Sequence, residues 1–346
     1  KAIGEILRSE PLQHVRVGNV RLGDEPRVGL DDLLFAPVGG DLGFAYLDVF
    51  VCFGHGSYPP NLTGAVRSIR RVNVHGSLWD PALADLDARR ALGSGKPLFL
   101  IHGSGPGVSA WANWRLAMPN FSEVARVIAP DMLGFGYSER PGKEYYNMES
   151  WLDQVVGLMD ALDIERTDLV GNSFGGAISL AMAIRHPDRV RRIVLMGSAG
   201  LALGLSEGLD QVWGYSPSIE NMRRLLDIFA YDRSLVTDEL AELRYKASIR
   251  PGFQESFSAM FPAPRGRWLE HLASDERDIQ KIPHEVLIIH GREDVVVPLE
   301  NGLRLSQLIK RSQLHVFGEC GHWAQIEHAA RFEKLVMNFI QEPDKK

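Results

Sequence analysis

Hydrophobic and polar positions alternate in two rhythms along the chain. From Pro97 onward, short apolar runs are followed by longer segments with an apolar residue every three or four positions. The first rhythm is typical of buried strands and the second of amphipathic helices, so together they predict an α/β fold with a mostly parallel central sheet and helices on both faces. The predicted strands are 98–101, 126–129, 168–170, 192–196, 285–289 and 313–317, and the predicted helices are 148–162, 174–185, 299–309 and 329–340.

The alternation stops over residues 201–280, where the apolar period is helical and aromatic residues and prolines are frequent. Helices are predicted at 220–229 and 237–248. An insertion between two strands of an open α/β sheet lies over the carboxyl ends of the strands, where such sheets bind ligands. We therefore expect a helical lid at 201–280 on a core made of 96–200 and 281–346, with a plain scaffold subdomain as the alternative.

The composition excludes several classes of protein. With 346 residues, 45% of them hydrophobic, and a net charge of −6, the chain is neither disordered nor a coiled coil, and it does not attract phosphate backbones. No nucleic acid is therefore expected as a partner. The two cysteines, Cys52 and Cys320, form no disulfide scaffold or zinc motif, which suits the cytoplasm. The apolar stretch 42–53 contains Asp48 and is shorter than the ~20 residues of a membrane span, and no signal peptide is recognisable, so no membrane partner is expected.

The sharpest chemical motif is Gly171-Asn172-Ser173-Phe174-Gly175, which lies between a predicted strand and a predicted helix. A serine hydroxyl is a weak nucleophile unless a tight turn exposes it and a base serves it. The flanking glycines allow that turn, and the helix N-terminus favours a negative oxygen. The motif predicts Ser173 as a nucleophile; an ordinary glycine-rich helix cap is the alternative.

The base and its orienting acid are expected in two later loops, in the chain order Ser–acid–His. Asp294 follows the strand predicted at 285–289, with Glu293 as its rival, and His322 follows the next strand. A solvated acid and a helix-capping histidine are the alternatives. Of the other histidines, His102 is expected to shape its loop, and six read as structural or surface residues: His186, His271, His284, His290, His315 and His328.

Donors for a developing oxyanion are expected from the Phe174 backbone N–H and from the loop His102-Gly103-Ser104-Gly105-Pro106-Gly107. Glycine-rich loops also cradle phosphates. This one lacks the GK[ST] of a P-loop and the spacing of a dinucleotide site, which argues against a phosphate ligand.

Five segments together resemble the meta-cleavage-product hydrolases: "IHGSGPGVSAWANW", "APDMLGFGYSERP", "DLVGNSFGG", "ELRYKASIRPGF" and "CGHWAQIEH". These bacterial enzymes have the α/β-hydrolase fold and hydrolyse a carbon–carbon bond in ring-opened aromatics. The resemblance covers about 70% of the chain, from Gly95 to Glu342. It implies a catalytic triad of Ser173, Asp294 and His322, and an oxyanion hole from Ser104 and Phe174.

The resemblance also implies residues that bind the substrate. Arg244 matches the arginine that holds the substrate carboxylate in this family, whereas by itself it reads as a lid-surface residue paired with Glu242 or Asp238. The other matching or neighbouring pocket positions are Gly103, Gly105, Asn113, Asn172 and Trp323, with Ala199 and Val297 at the far end of the pocket.

The implied substrate is a 2-hydroxy-6-oxohexa-2,4-dienoate, cleaved to 2-hydroxypenta-2,4-dienoate and a carboxylic acid without a metal or organic cofactor. The lid segments "GLDQVWGYSPS" and "FPAPRGRW" resemble the branch that acts on monocyclic products with a small C6 group. Whether an acyl-enzyme forms or water attacks directly stays open, as does the choice between a monomer and the homo-oligomers frequent in this family.

Four other functions are compatible with an α/β-hydrolase fold. The closest is a carboxylesterase with the same triad, acting on oxygen esters. Dehalogenases and epoxide hydrolases place an aspartate where Ser173 stands, which disfavours both. A ligand receptor without catalysis is expected to have a damaged triad, and this triad is intact in sequence.

Residues 1–95 do not fit the family pattern. Members begin about 25 residues before the strand at Leu98, with two strands that start the sheet, and no clear equivalent is present here. Only weak strand patterns occur, at 43–53 and 66–75. The chain starts with Lys1, has no further lysine before Lys96, and has its first methionine at Met118. A second module or fusion remnant is one hypothesis, and a frame-shifted start is another, which the upstream nucleotide sequence would test.

Overall fold

The computed structural model describes residues 95–344. The weak strand patterns at 43–53 and 66–75 lie outside this range. Within it, the strands are β1 (Pro97–Ile101), β2 (Arg126–Ile128), β3 (Thr167–Asn172), β4 (Val190–Met196), β5 (Glu285–Gly291) and β6 (Ser312–Phe317).

The helices of the described range fall into two groups. Those of the core are α1 (Ala110–Trp114), α2 (Met118–Ser122), α3 (Met148–Ala161), α4 (Phe174–Arg185), α11 (Leu299–Leu308), α12 (Ala324–Glu327) and α13 (Ala329–Gln341). Those between β4 and β5 are α5 (Glu207–Trp213), α6 (Ile219–Phe229), α7 (Asp238–Ser248), α8 (Phe253–Met260), α9 (Gly266–Leu272) and α10 (Glu276–Ile279). Short 3₁₀ turns lie at Lys143–Tyr145, Pro187–Arg189 and Arg233–Leu235.

The strands pair in parallel in the order β2-β1-β3-β4-β5-β6. The chain builds outward from β1 to β2 and then returns to the other side of β1 with β3. The carboxyl ends of β1 and β3 therefore flank the point where the strand order reverses, the usual position of a ligand site in an open α/β sheet. The predicted α/β fold with a parallel sheet is confirmed.

The side chains of β1 alternate between two cores, one on each face of the sheet. Leu98 and Leu100 pack with side chains of α1, α2 and α13, whereas Phe99 and Ile101 pack with side chains of α3 and α4. Because both faces are buried, the strand reads as a continuous apolar run. Helices do cover both faces, as the sequence predicted.

The observed element bounds differ little from the predicted ones. β3 and β5 extend to Asn172 and Gly291, two residues beyond their predicted ends, and α4 has its predicted bounds. The elements between β4 and β5 are all helical, and several of them were not predicted individually. The division into core and lid at 201 and 280 remains a prediction. None of the helices in the described range is long and apolar enough to cross a membrane.

A buried arginine joins the amino ends of the central strands to the C-terminal helix. Arg192 is 1% exposed, forms an ion pair with Glu285 at 2.9 Å, and donates to the carbonyl oxygens of Ile340, Glu342 and Pro343. A buried charge of this kind is stable only while its partners stay in place. This cluster therefore holds the end of α13 against the amino ends of β4 and β5. The carboxyl ends, where an open α/β sheet binds ligands, lie at the opposite edge.

Replacing Arg192 with methionine is expected to lower the free energy of unfolding by about 3 kcal/mol, because Glu285 and three carbonyl oxygens lose a buried donor. Urea denaturation monitored by circular dichroism measures the change. The matched control is Arg224→Met, which breaks an exposed pair with Glu220 and should cost at most about 0.5 kcal/mol. Equal losses in the two variants would contradict this account of the cluster.

Candidate active site

Ser173 occupies a strained turn between β3 and α4. Its backbone has φ 51° and ψ −111°, a conformation that L-residues rarely adopt. A Cβ at Gly171 would overlap the carbonyl oxygen of Gly175, and a Cβ at Gly175 would overlap that of Ile101. Both flanking glycines are therefore required for the turn to lie against β1. This is the strand–turn–helix setting that makes a serine a nucleophile.

His322 and Asp294 are hydrogen-bonded to each other at the same edge of the sheet. His322 Nδ1 lies 2.7 Å from Asp294 Oδ2 and donates to it, because an ionised carboxylate only accepts. The other oxygen, Oδ1, accepts from the backbone N–H groups of Val296 and Val297 at 2.9 Å each. Both carboxylate oxygens are thus held, and the carboxylate fixes the imidazole so that its Nε2 is the nitrogen left to accept a proton.

The rival acid points elsewhere. Glu293 accepts from the backbone N–H of Cys320 at 3.0 Å and pairs with Arg292 at 2.8 Å. Burial is the largest single effect and raises the pKa of the Glu293 carboxyl, but the contacts with Cys320 and Arg292 together outweigh it, so the pKa is lowered. Of the two neighbouring acids, Asp294 is the one in contact with His322.

The end of β4 brings the serine turn and the His322–Asp294 pair together. The Ser173 N–H donates to the Met196 carbonyl at 2.9 Å. The next residue, Gly197, has φ 49°, and a Cβ there would lie 3.1 Å from both Asp294 Oδ2 and His322 Nδ1. The glycine leaves room for the pair beside the turn. The three predicted triad residues therefore follow the carboxyl ends of β3, β5 and β6, with β4 between the first two.

The glycine-rich loop after β1 lies against the serine turn. A Cβ on Gly103 would be 3.4 Å from Ser173 Cβ and 2.7 Å from Asn172 Oδ1, so only glycine allows this approach. The Phe174 N–H is in the first turn of α4, where amides have no acceptor within the helix. Ser104 belongs to the same loop and is buried. Of the two predicted oxyanion donors, Phe174 thus follows Ser173 directly, and Ser104 belongs to the loop that lies against the serine turn.

His102 shapes this loop, as expected. Its Nε2 accepts from the Met132 N–H at 2.9 Å, and its Nδ1 lies 2.8 Å from the Gly103 carbonyl, to which it donates. Burial lowers the pKa of His102, so the ring stays neutral and bridges the loops after β1 and β2.

Arg244, on α7, reaches down to the glycine-rich loop. Its Nη2 donates to the Pro106 carbonyl at 3.3 Å and would lie 3.8 Å from a Cβ on Gly105. The acids that the sequence offered as surface partners are engaged by others: Asp238 pairs with Arg223, and Glu242 pairs with Lys246. Burial, and next the nearby Arg115 guanidinium, lower the pKa of Arg244 to about 10, and Tyr215 opposes the shift.

Three residues that contact the glycine-rich loop have buried donors that lack an acceptor within residues 95–344. They are the buried Nε of Arg244, Nδ2 of Asn113 and Nδ2 of Asn172. Asn113 is anchored through its oxygen, which accepts from the Gly103 N–H at 3.4 Å. Buried donors without partners are costly, and a bound anion or carbonyl would satisfy them.

The remaining predicted pocket residues also border the site. The Ala199 N–H donates to the Ser173 carbonyl at 3.1 Å, and Val297 is buried beside the Asp294 carboxylate. Trp323 stacks on Phe229 at 5.1 Å between ring centroids, and the Phe229 carbonyl accepts from the His322 N–H at 2.7 Å. The structure therefore brings all the predicted site residues to one edge of the sheet.

Two contacts in the site were not predicted. His290, read from sequence as structural, lies 3.6 Å from Asp294 Oδ2 and donates from Nε2 to the Val297 carbonyl at 2.8 Å. Burial lowers the pKa of His290, which keeps it neutral beside the carboxylate. Trp213, on α5, donates from its indole nitrogen to Ser104 Oγ at 3.1 Å. The position of His290 at the end of a strand was a usable signal; nothing in the sequence pointed to the Trp213 contact.

Comparison with known proteins agrees with this geometry. The family model of the alpha/beta hydrolase fold matches residues 96–329. A 2-hydroxymuconate semialdehyde hydrolase of Pseudomonas sp. strain CF600 is 68% identical over 252 residues, which are 73% of this chain and 89% of the relative. A 2-hydroxy-6-oxo-2,4-heptadienoate hydrolase of Pseudomonas putida F1 is 62% identical over 253 residues, covering 73% and 92%.

A solved structure gives the same assignment. The meta-cleavage product hydrolase CumD of Pseudomonas fluorescens IP01, in a serine-to-alanine variant complexed with acetates, is 63% identical. It matches with a TM-score of 0.71 over 72% of this chain and 92% of that chain. With the serine turn, the His322–Asp294 pair and the parallel sheet in place, the chain belongs to the α/β-hydrolase family and, within it, to the meta-cleavage product hydrolases, which are serine hydrolases.

Proposed function

We propose that the protein hydrolyses the C5–C6 bond of a 2-hydroxy-6-oxohexa-2,4-dienoate. The observation that carries this proposal is the pairing of a serine–histidine–aspartate site with a cluster of unsatisfied donors on Arg244, Asn113 and Asn172. A substrate with a carboxylate at one end and a carbonyl at the other fits both parts. An arginine and two amides suit the planar carboxylate and the neighbouring hydroxyl group.

The first chemical step is a proton transfer that converts the dienol to its keto form. The C2 hydroxyl loses a proton and C5 gains one, so that the C5–C6 bond becomes able to break with its electrons moving toward the new C2 carbonyl. His322 is suited to this transfer because Asp294 holds its Nδ1–H and leaves Nε2 as the proton acceptor.

Cleavage follows attack on the C6 carbonyl. Ser173 gives its proton to His322 and bonds to C6, and the resulting oxyanion is stabilised by the backbone N–H groups of Ser104 and Phe174. The C5–C6 bond then breaks with its electrons moving to the C2 oxygen, and protonated His322 returns its proton to this leaving group, which releases 2-hydroxypenta-2,4-dienoate and restores neutral His322. Water, deprotonated by His322, hydrolyses the ester on Ser173 and releases a carboxylic acid.

The test is turnover of the yellow dienoate, which is measured as the decrease in the absorbance of this substrate. The wild-type protein should consume it, and Arg244→Gln should reduce kcat/KM by about 10- to 100-fold, as expected for loss of a charge-assisted contact. The same variant should hydrolyse p-nitrophenyl acetate at an almost unchanged rate, since that ester has no carboxylate. An ester-only activity in the wild-type protein would instead favour the carboxylesterase.

The C6 substituent is proposed to be small. The names of the two relatives at 68% and 62% identity specify a semialdehyde and a heptadienoate, which carry hydrogen and methyl at this position. We expect kcat/KM to be at least about tenfold higher for 6-methyl than for 6-phenyl substrates, with 6-isopropyl between them, because excess bulk in a packed pocket costs ~1–3 kcal/mol. Steady-state kinetics on the three compounds measures this, and a clear preference for phenyl would overturn it.

The pKa of Arg244 makes substrate binding dependent on pH. The guanidinium is charged below about pH 10 and neutral above it, so KM should stay constant up to about pH 9 and then rise about tenfold per unit above pH 10. In Arg244→Gln, KM should be high and lack this rise. A rise of the same size in that variant would assign the pH dependence to another group, and circular dichroism at each pH monitors folding.

The proposal also includes a location in the cytoplasm. It further includes a small molecule as the binding partner, without a nucleic acid or membrane partner. The low cysteine content and the net charge of −6 support it. Fractionation of the native host, with the protein followed by immunoblot, tests the location.

A further inference from the structure

Helix α5 connects the loop that carries the catalytic acid to the loop that carries an oxyanion donor. At its start, Ser206 Oγ donates to the Val296 carbonyl at 2.7 Å, and Gly208 lies so close to the Val295 carbonyl that a Cβ would overlap it. At its end, the Trp213 indole N–H donates to Ser104 Oγ at 3.1 Å. The helix is therefore held to the core at both ends, at its start by the loop after β5 and at its end by the loop after β1.

The indole of Trp213 has a fixed orientation. It is 3% exposed and stacks on the Phe261 ring with centroids 4.4 Å apart and planes 2° from parallel. Phe261 is itself buried and contacts Phe257 edge-on. Because this packing fixes the ring plane, it also fixes the direction of the indole N–H toward Ser104.

An indole nitrogen can only donate a hydrogen bond, whereas a hydroxyl can donate or accept. The contact therefore assigns the Ser104 oxygen as the acceptor and leaves its proton to be directed elsewhere. Within the described part of the chain, Ser104 Oγ makes no second hydrogen bond. Its neighbour Gly103 lies against the nucleophile, where a Cβ would be 3.4 Å from Ser173 Cβ. The acceptor for that proton is thus expected to be the bound substrate.

We propose that Trp213 is a positioning residue, which orients the Ser104 hydroxyl so that its proton is donated to the oxygen that becomes negative at the reacting carbon. The hydroxyl then acts as a donor in addition to the backbone N–H groups of Ser104 and Phe174. This inference rests on the proposed function for the identity of the substrate, but the oxyanion itself forms in any acyl transfer at Ser173. Donors that are oriented before the reaction stabilise developing charge most effectively.

The test is a double-mutant cycle on kcat with Trp213→Phe and Ser104→Ala. Phenylalanine keeps an aromatic ring to stack on Phe261 but has no N–H. We expect Trp213→Phe to lower kcat about tenfold with KM changed less than twofold, and Ser104→Ala to lower kcat about 10- to 30-fold. The double variant should be no slower than Ser104→Ala, because the indole acts only through the hydroxyl. The matched control is Trp268→Phe, which removes an indole donor to the Pro262 carbonyl on the same lid and should leave kcat unchanged.

An unchanged kcat in Trp213→Phe, or losses that multiply in the double variant, would overturn the proposal. A rise in KM alone would also overturn it, since that result describes a tryptophan that merely lines the pocket. Should Trp213→Phe fail to fold in a thermal melt, Ser104→Ala decides the matter: an unchanged kcat there means that the oriented hydroxyl does nothing.

The cycle is run on both the dienoate and p-nitrophenyl acetate. If the wild-type protein hydrolyses only the ester, the proposed function fails, and the cycle on the ester still tests Trp213. If both substrates are hydrolysed and the cycle shows no coupling on either, the proposed function stands and the role of Trp213 fails.

Discussion

Replacing Ser173 with alanine is expected to reduce kcat for the dienoate by about 10⁴- to 10⁶-fold, the range found when a triad nucleophile is removed. The backbone of Ser173 has φ 51°, which costs of order 1–3 kcal/mol at a non-glycine residue, and such strain is concentrated at functional sites. Alanine has the same backbone preferences, so the turn and the flanking glycine contacts should persist. The loss then reports on the hydroxyl and not on the fold.

A matched control for this variant is Ser179→Ala. Ser179 is a buried serine on the same helix, and its hydroxyl donates to the Gly175 carbonyl at 2.8 Å. The Ser179→Ala variant should retain a kcat within about twofold of the wild type. In Ser173→Ala, the proton transfer that His322 performs before cleavage should survive as a fast change in absorbance by stopped flow. A Ser173→Ala protein that still released product at more than about 1% of the wild-type rate would mean that Ser173 is not the nucleophile.

The sheet could be predicted because each strand carries its signal locally. Strands buried on both faces are continuous apolar runs, and the six described strands were found within a few residues of their ends. The short helices α1 and α2 were not predicted, because five residues give too little of a helical period to be recognised. In α1 the boundary is set by the cap, where Ser109 Oγ accepts from the Ala112 N–H.

The common position of Ser173, Asp294 and His322 at the carboxyl edge of the sheet could be predicted because chain order and position at strand ends are both sequence properties. Chain order and strand position do not separate Asp294 from Glu293, since the two adjacent residues share the same loop and the same charge. What separates them is where the backbone N–H groups lie: those of Val296 and Val297 reach Asp294, and that of Cys320 reaches Glu293. These contacts depend on the turn and not on composition.

The contacts of Arg244 and Trp213 could not be derived from periodicity. Each joins the helical segment between β4 and β5 to the loop after β1, across more than a hundred residues. For Arg244 the resemblance to a family supplied the role, whereas its helical position alone suggested an ordinary surface pair. Trp213 reads as one apolar residue of an amphipathic helix, and only the three-dimensional structure shows that its polar edge meets Ser104.

Replacing Asp294 with asparagine is expected to lower kcat by about 10⁴-fold while leaving the protein folded. The amide oxygen can still accept from the Val296 and Val297 N–H groups, which places the NH₂ group toward His322. Because NH₂ only donates, His322 Nδ1 must then accept, and its proton moves to Nε2. A ring protonated at Nε2 cannot take the proton of Ser173. The loss should therefore appear in kcat for both the dienoate and p-nitrophenyl acetate.

The matched control is Glu293→Gln, which removes the adjacent charge from the same loop. Its carboxylate contacts the Cys320 N–H and Arg292 but not His322, so kcat should fall by no more than about threefold. Steady-state kinetics with circular dichroism melts compares the two variants. The reverse result, a large loss of kcat in Glu293→Gln with an active Asp294→Asn, would assign the orienting acid to Glu293 and not to Asp294. The same reversal would also mean that the carboxylate 3.6 Å from His290 is not the one that catalysis needs. The two neighbouring acids thus share a loop and a charge, and of the two only Asp294 contacts His322.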